Sequence, residues 1–449
     1  MIIFRHQTNK SIPGFSGVFD MRRNIFLFPL CLFLLTISAF ANSAEEFARQ
    51  VVSENKKESE IAIDALRQIG QSGLDELFKV YAGEIKQFSE TGKSVESWTR
   101  IATAIDGVAM QKDAYASGLY WFTDLEEAKK AAKSANKPIL SLRLLGNLNE
   151  EFSCANSRFF RSILYSNAEI ARNLRENYIL HWKSVRPAPR ITIDFGDGRK
   201  IERTITGNSI HYILDENSRI LDALPGLYSP QEFAKYLNLT KNLHQSVQKR
   251  PIYLGEFQAM RRWQLLNKWK SDLQRTGVKM SESELPKTSG NSSKTENPTA
   301  LTAAPRAATK MIVELPLVKT LALDESAMAE NTKLEDWKKL ADLFGKTAIE
   351  KESVNFIRRQ TANNSDLNNR TFSQMIANLE NYVAIDTVRN EYLFHTKIYE
   401  WLAENPSADL EKFNEKVYTE LFLTPRSDEW LGLYSSDIYS ALDGNGIIK

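Results

Sequence analysis

Cysteine is nearly absent from this chain: its 449 residues hold only two. Charge of one sign is missing as well. Lys and Arg number 58 against 56 Asp and Glu, a formal net charge of +2. The first 41 positions carry Arg5, Lys10, Arg22 and Arg23 against Asp20, which leaves the remainder close to neutral. No basic run stands out there, so the electrostatic footprint of a nucleic-acid binder is lacking. With 42% apolar and 25% charged residues, the composition excludes a polytopic membrane protein and a wholly disordered one. The length exceeds one ordinary domain and predicts two or three.

The first feature present is an export pattern. Met21-Arg22-Arg23 opens a short positive region, and Ile25 to Phe40 is almost continuously apolar. Small residues follow in Ala39-Phe40-Ala41 and Asn42-Ser43-Ala44. Charge, apolar core and small-residue site together are the pattern of a secretory signal peptide. The run falls short of the ~20 residues that span a bilayer, so no retained anchor is expected. Met21 is the expected start, residues 1–20 an upstream extension, and Ala41 the expected end of the signal. The expected location is periplasmic or secreted. Cys31 leaves with the signal, so the mature chain keeps Cys154 alone and forms no internal disulfide.

Residues 42–118 read as helical. Ala62, Leu66 and Ile69 form one apolar stripe, Gly70 to Gly73 interrupts it, and Leu74, Leu77, Phe78, Tyr81 and Ile85 form the next. This spacing predicts an αα-hairpin, with a further helix from Val95 to Met110. Residues 119–240 change character. Thr123 with Glu126, Ser166 with Glu169, and Ser229 with Glu232 are capping-box patterns that predict three helix starts, the last with Pro230 at the first helical position. Strands are predicted at Ile139–Leu145, Tyr178–Val185, Ile210–Leu214 and Arg219–Ala223. A hairpin is expected around Gly196-Asp197-Gly198, with arms at Ile191–Phe195 and Lys200–Thr206. The predicted order is β-α-β, a hairpin insertion, then β-β-α. Residues 241–280 read as a helical extension and 281–310 as a disordered linker rich in Ser, Thr, Pro and Ala. Residues 311–449 read as a helical C-terminal domain.

The middle segment, 119–240, resembles the thioredoxin-like fold, particularly its secreted bacterial branch. The resemblance rests on Lys137-Pro138-Ile139-Leu140, on Cys154, on Ser166-Asn167-Ala168-Glu169-Ile170, on Gly207 to Asp215, and on Leu224-Pro225-Gly226. It implies an α/β domain with a central mixed sheet flanked by helices, between all-α N- and C-terminal regions. Relatives of this kind place Cys-x-x-Cys at the start of the helix after the first strand. Here the motif is Cys154-Ala155-Asn156-Ser157, a monothiol Cys-x-x-Ser. The resemblance puts Cys154 at the nucleophile position and Ser157 at the resolving one. It also puts Ser209 or Ile210 where relatives carry a cis-proline.

A cysteine at a helix start meets unpaired backbone N–H groups and the positive end of the helix dipole, which favours thiolate. Ser153 is a candidate cap for that turn, and Arg158 a candidate source of positive charge. Ser157 can offer the sulfur a hydrogen bond but no second thiol. His211, near the cis-proline position, is a weaker candidate partner for Cys154, and His181 on the preceding strand a still weaker one. Glu391 and His395, at i and i+4 on a helix, are the one pair with metal-ligand spacing, and two ligands do not make a site. Asp194-Phe195-Gly196 is explained by its Asp-Gly turn. No metal, nucleotide or haem signature is present, and no cofactor is expected. Two functions remain open. One is a binding or scaffold module without dithiol chemistry that engages protein partners through its helical flanks. The other is a monothiol redox protein that captures partners by mixed disulfide at Cys154.

Overall fold

The computed structural model describes residues 43–250, 253–280, 298–321, 334–345, 347–361, 368–425, 429–433 and 440–447. The expected upstream extension and signal peptide, with Cys31, lie outside the described residues, as do positions 281–297 of the expected linker. Among the described residues no helix is long and apolar enough to cross a membrane.

Residues 43–50 are helical and lead into α1 (Lys56–Ile69), α2 (Gln71–Val80), α3 (Ala82–Thr91) and α4 (Trp98–Ala109). Ala62, Leu66, Leu74 and Leu77 are buried in a core of their own with Ile101 and Ile105. Gly70 separates α1 from α2 at φ 80°, a conformation that costs a Cβ-bearing residue strain. Arg67 ties this bundle to the next unit by donating to the carbonyls of Val108 and Trp121, each at 2.7 Å.

The central sheet has four strands, β1 (Ile139–Leu145), β2 (Ile179–Arg186), β5 (Ile210–Leu214) and β6 (Ile220–Pro225), in the order β2-β1-β5-β6. β1 and β2 are parallel, and the other two pairs are antiparallel. Between β2 and β5 the chain forms a separate ribbon, β3 (Arg190–Asp194) with β4 (Lys200–Thr204). Every residue of β1 is buried, as expected of a strand covered on both faces. Alternation puts Leu140 and Leu142 on the face of His211 and Ile213, and Ser141 and Arg143 on the face of Tyr212.

Caps decide where the helices start. α5 (Leu125–Ala135) is capped by Asp124, which accepts from the Glu127 amide at 2.9 Å, and not by the expected Thr123–Glu126 box. α7 (Ala168–Asn177) is capped by Asn167 rather than Ser166. In both cases the residue one step further on reaches the third amide, and the Ser166 hydroxyl turns back to the Ser162 carbonyl. α8 (Pro230–Lys249) starts as expected, with Ser229 as cap and Pro230 in its first turn.

The C-terminal helices are α9 (Leu254–Thr276), α10 (Ala308–Leu321), α11 (Leu334–Ala341), α12 (Lys351–Gln360), α13 (Asn369–Arg389), α14 (Thr396–Glu404) and α15 (Leu410–Lys416). They do not form a core apart. Leu340, Val388, Tyr392 and Tyr418 belong to the same buried cluster as Leu140, Ile213 and Phe233. The expected linker is also shorter than its composition suggested. Helical turns already occupy Ala300–Arg306 and Ala308 onward, and Ala300, Ala304, Ala308 and Lys310 are buried. Alanines look unremarkable in sequence, yet their small size lets helices approach closely and bury them.

One join between sheet and helices is especially tight. Gly226 follows β6 at φ 78°, and a Cβ there would meet Asn390 Nδ2 at 2.5 Å. Asn390 in turn donates to the Leu227 carbonyl at 2.8 Å. Gly226→Ala combines backbone strain with overpacking and is expected to lower unfolding free energy by ~2 kcal/mol, measured by urea denaturation. A loss of a few tenths of a kcal/mol would contradict this placement.

Candidate functional site

β1 ends at Leu145, and its carbonyl accepts the Cys154 amide at 3.0 Å, which brings the cysteine back beside the strand end. Cys154 is then the N-cap of α6 (Ala155–Phe159), which widens into a π-helical turn at Phe160–Leu164. The start-of-helix position read from the sequence is therefore occupied. The sulfur, however, is fully buried. Sγ lies 2.9 Å from the Ser209 hydroxyl, whereas Ser157 donates to the Cys154 carbonyl at 2.8 Å. Ser157 thus steadies the backbone turn and is not the thiol's partner. Ser153 does not cap it either, and its hydroxyl is buried without a hydrogen bond.

The surroundings come from far along the chain. Tyr418, in the π-helical turn Val417–Leu421 after α15, donates to the Asn208 carbonyl at 2.8 Å. Asn208 also accepts from Asn156 at 3.1 Å through its side chain. From α10, Glu314 accepts the Thr206 amide at 2.9 Å and pairs with Lys310 at 3.4 Å, both side chains fully buried. Burial pushes Glu314 upward against the pull of Lys310 and Arg158. Burial lowers Arg158, opposed by the nearby Cys154 and Glu314. The loop before β5 is thus covered by this chain's own C-terminal helices.

The histidines do not join the thiol. His211 bonds Tyr165 through Nε2 at 2.7 Å, and its ring packs against Phe160 and Phe233. Burial drives its pKa down to about 3, so it is neutral. His181 lies on the other face, 2.8 Å from the Ser141 hydroxyl, and burial followed by the Arg143 charge lowers it to about 3. Arg143, itself buried, donates to Ser141 and reaches Glu411 at 3.0 Å. Ser141 therefore accepts from Arg143 and donates to His181 Nδ1. This network pins α15 to the sheet, and neither histidine bonds Cys154.

Glu391 and His395 are brought together, but as an ion pair and not as metal ligands. Nδ1 of His395 meets Glu391 at 3.0 Å, and Nε2 meets Asp222 of β6 at 3.2 Å. Tyr399 donates to the second Asp222 oxygen at 3.1 Å, and Tyr228 donates to Glu391 at 3.3 Å. Burial opposes a charge on the ring, yet Glu391 and Asp222 outweigh it and raise His395 to about 9. Among the described residues no group of three or more His, Cys, Asp or Glu is arranged to hold a metal ion.

No protein-family model, curated protein or solved structure matches the chain. Its chemistry must therefore be read from its own geometry. A thiol attacks as an accessible thiolate. Here the sulfur faces a hydroxyl inside a packed shell, and of the charged groups near it Lys310 and Glu314 are paired with one another. Sequence reasoning singled out Cys154, Ser209 and Arg158, but it missed Tyr418, Glu314 and Asp222. The i, i+4 spacing of Lys310 and Glu314 in a largely apolar helix was the one local signal available. Nothing local marks Tyr418 as a neighbour of Asn208.

Proposed function

We propose that the chain is an exported binding or scaffold module on a thioredoxin-like frame that lacks dithiol–disulfide chemistry and engages protein partners. The observation carrying this reading is the burial of Cys154 beneath the chain's own C-terminal helices, with Sγ held by Ser209. The frame is supported by the strand order β2-β1-β5-β6, a parallel first pair with two antiparallel pairs, and Cys154 at the start of the helix between β1 and β2. Export rests on the Met21–Ala41 pattern alone. The competing monothiol reading draws on the N-cap position of Cys154 and on the Arg158 charge beside it.

A single assay separates the two. The reduced protein is mixed with a model disulfide, and exchange is followed against Cys154→Ala. The binding-module reading expects both proteins to match the background rate. A Cys154-dependent rate well above background would replace it with the monothiol reading.

A further inference from the structure

A cavity of about 830 Å³ opens between α10, α12, α13 and the helix that Cys154 begins. The volume falls within the ~300–1,000 Å³ of small-molecule sites. Its apolar wall includes Phe159, Ile312, Ile357, Met375 and Leu379. Ile312 is 42% exposed, an apolar side chain left in water on a helix that buries Met311 and Leu315. Apolar surface arranged around such a space gains free energy when a hydrocarbon body displaces the water.

The polar part of the lining is one-sided. Among the described residues Arg370 is the only charged one in the lining, and no described carboxylate accompanies it. Arg370 has no ion-pair partner among the described residues. It stands in the first turn of α13, a 21-residue helix whose N-terminal end adds positive potential in the same place. A guanidinium at the lip of an apolar cavity, without an ion-pair partner among the described residues, matches a ligand with one anionic head and an apolar tail. Two of the helices forming the walls are fixed to each other, because Asp386 of α13 accepts the Thr309 amide at the start of α10 at 2.9 Å.

We propose that this cavity binds an alkyl carboxylate, with its carboxylate on Arg370 and its chain along Ile312, Met375 and Leu379. The site is separate from the Cys154 thiol and does not depend on the binding-module reading above.

The test is calorimetric titration of the full chain with dodecanoate, alongside dodecan-1-ol and dodecyltrimethylammonium as head-group controls. Dodecanoate is expected to bind one per chain and more tightly than either control. Arg370→Glu is expected to weaken dodecanoate about fivefold or more, the effect of a part-exposed ion pair, while leaving dodecan-1-ol unchanged. Arg370 is exposed, so this variant is expected to keep the parent's thermal midpoint. Leu379→Trp, which fills the cavity, is expected to weaken all three amphiphiles. Three results would overturn the proposal. They are no saturable dodecanoate binding, equal binding of all three head groups as on a general apolar docking face, and an Arg370→Glu loss below about fivefold.

Discussion

Alkylation of Cys154 in the folded chain is expected to run at least about 10³-fold slower than in the unfolded chain at the same pH. The sulfur has no exposed surface and is bonded to Ser209, with the loop beside it closed by Tyr418 and Glu314. Reaction then waits for an opening that moves C-terminal helices packed into the main core. An opening that costs ~4 kcal/mol or more scales the rate down by that factor. Tyr418→Ala removes the hydroxyl that holds the Asn208 carbonyl and leaves a void near the sulfur, so it is expected to raise the folded-state rate. Rapid alkylation of the native protein would mean an accessible thiol. That outcome would sink the burial argument and, with it, the main support for a non-redox reading.

Replacing His395 by Leu is expected to lower the unfolding free energy by about 3–5 kcal/mol, because Asp222 and Glu391 would stay buried without their counter-ion. The effect has a pH signature. His395 titrates near 9 in the folded protein, above the ordinary 6.5, so folding is favoured by the proton it holds. That contribution is fully present below pH ~6.5 and is lost as pH rises through about 9. The groups facing the ring are Asp222, Glu391, Tyr228, Tyr236 and Tyr399, with Arg261 beside Tyr399. The tyrosines are held well above their ordinary value by burial and stay neutral across this window. Urea titrations between pH 6 and 9 should show stability falling in the parent chain and a flatter profile in His395→Leu. A parallel decline in both proteins would assign the pH dependence to other groups.

Local elements were legible because their signals are local. The apolar run Ile139–Leu145 is β1, the Asp-Gly turn joins β3 to β4, and Ser229-Pro230 begins α8. Two helix caps shifted by one residue because Asp124 and Asn167 compete with Thr123 and Ser166 for the same amide. The linker boundary moved because alanines in 298–310 are buried through close packing that composition does not reveal. The candidate site was legible only in part. Cys154 at a helix start follows from the order of strand, loop and helix.

By itself, the sequence determined the scarcity of cysteine, the near-neutral charge and the order of strands and helices. These depend on residue identity and short-range periodicity. Tertiary structure alone decided that Cys154 is sealed, that His211 and His181 lie on opposite faces away from it, and that Glu391 and His395 close on Asp222. Those outcomes depend on contacts such as Tyr418 to Asn208 and His395 to Asp222, which join residues 210 and 173 positions apart. Side-chain periodicity specifies which face a residue occupies, but not which distant element covers that face.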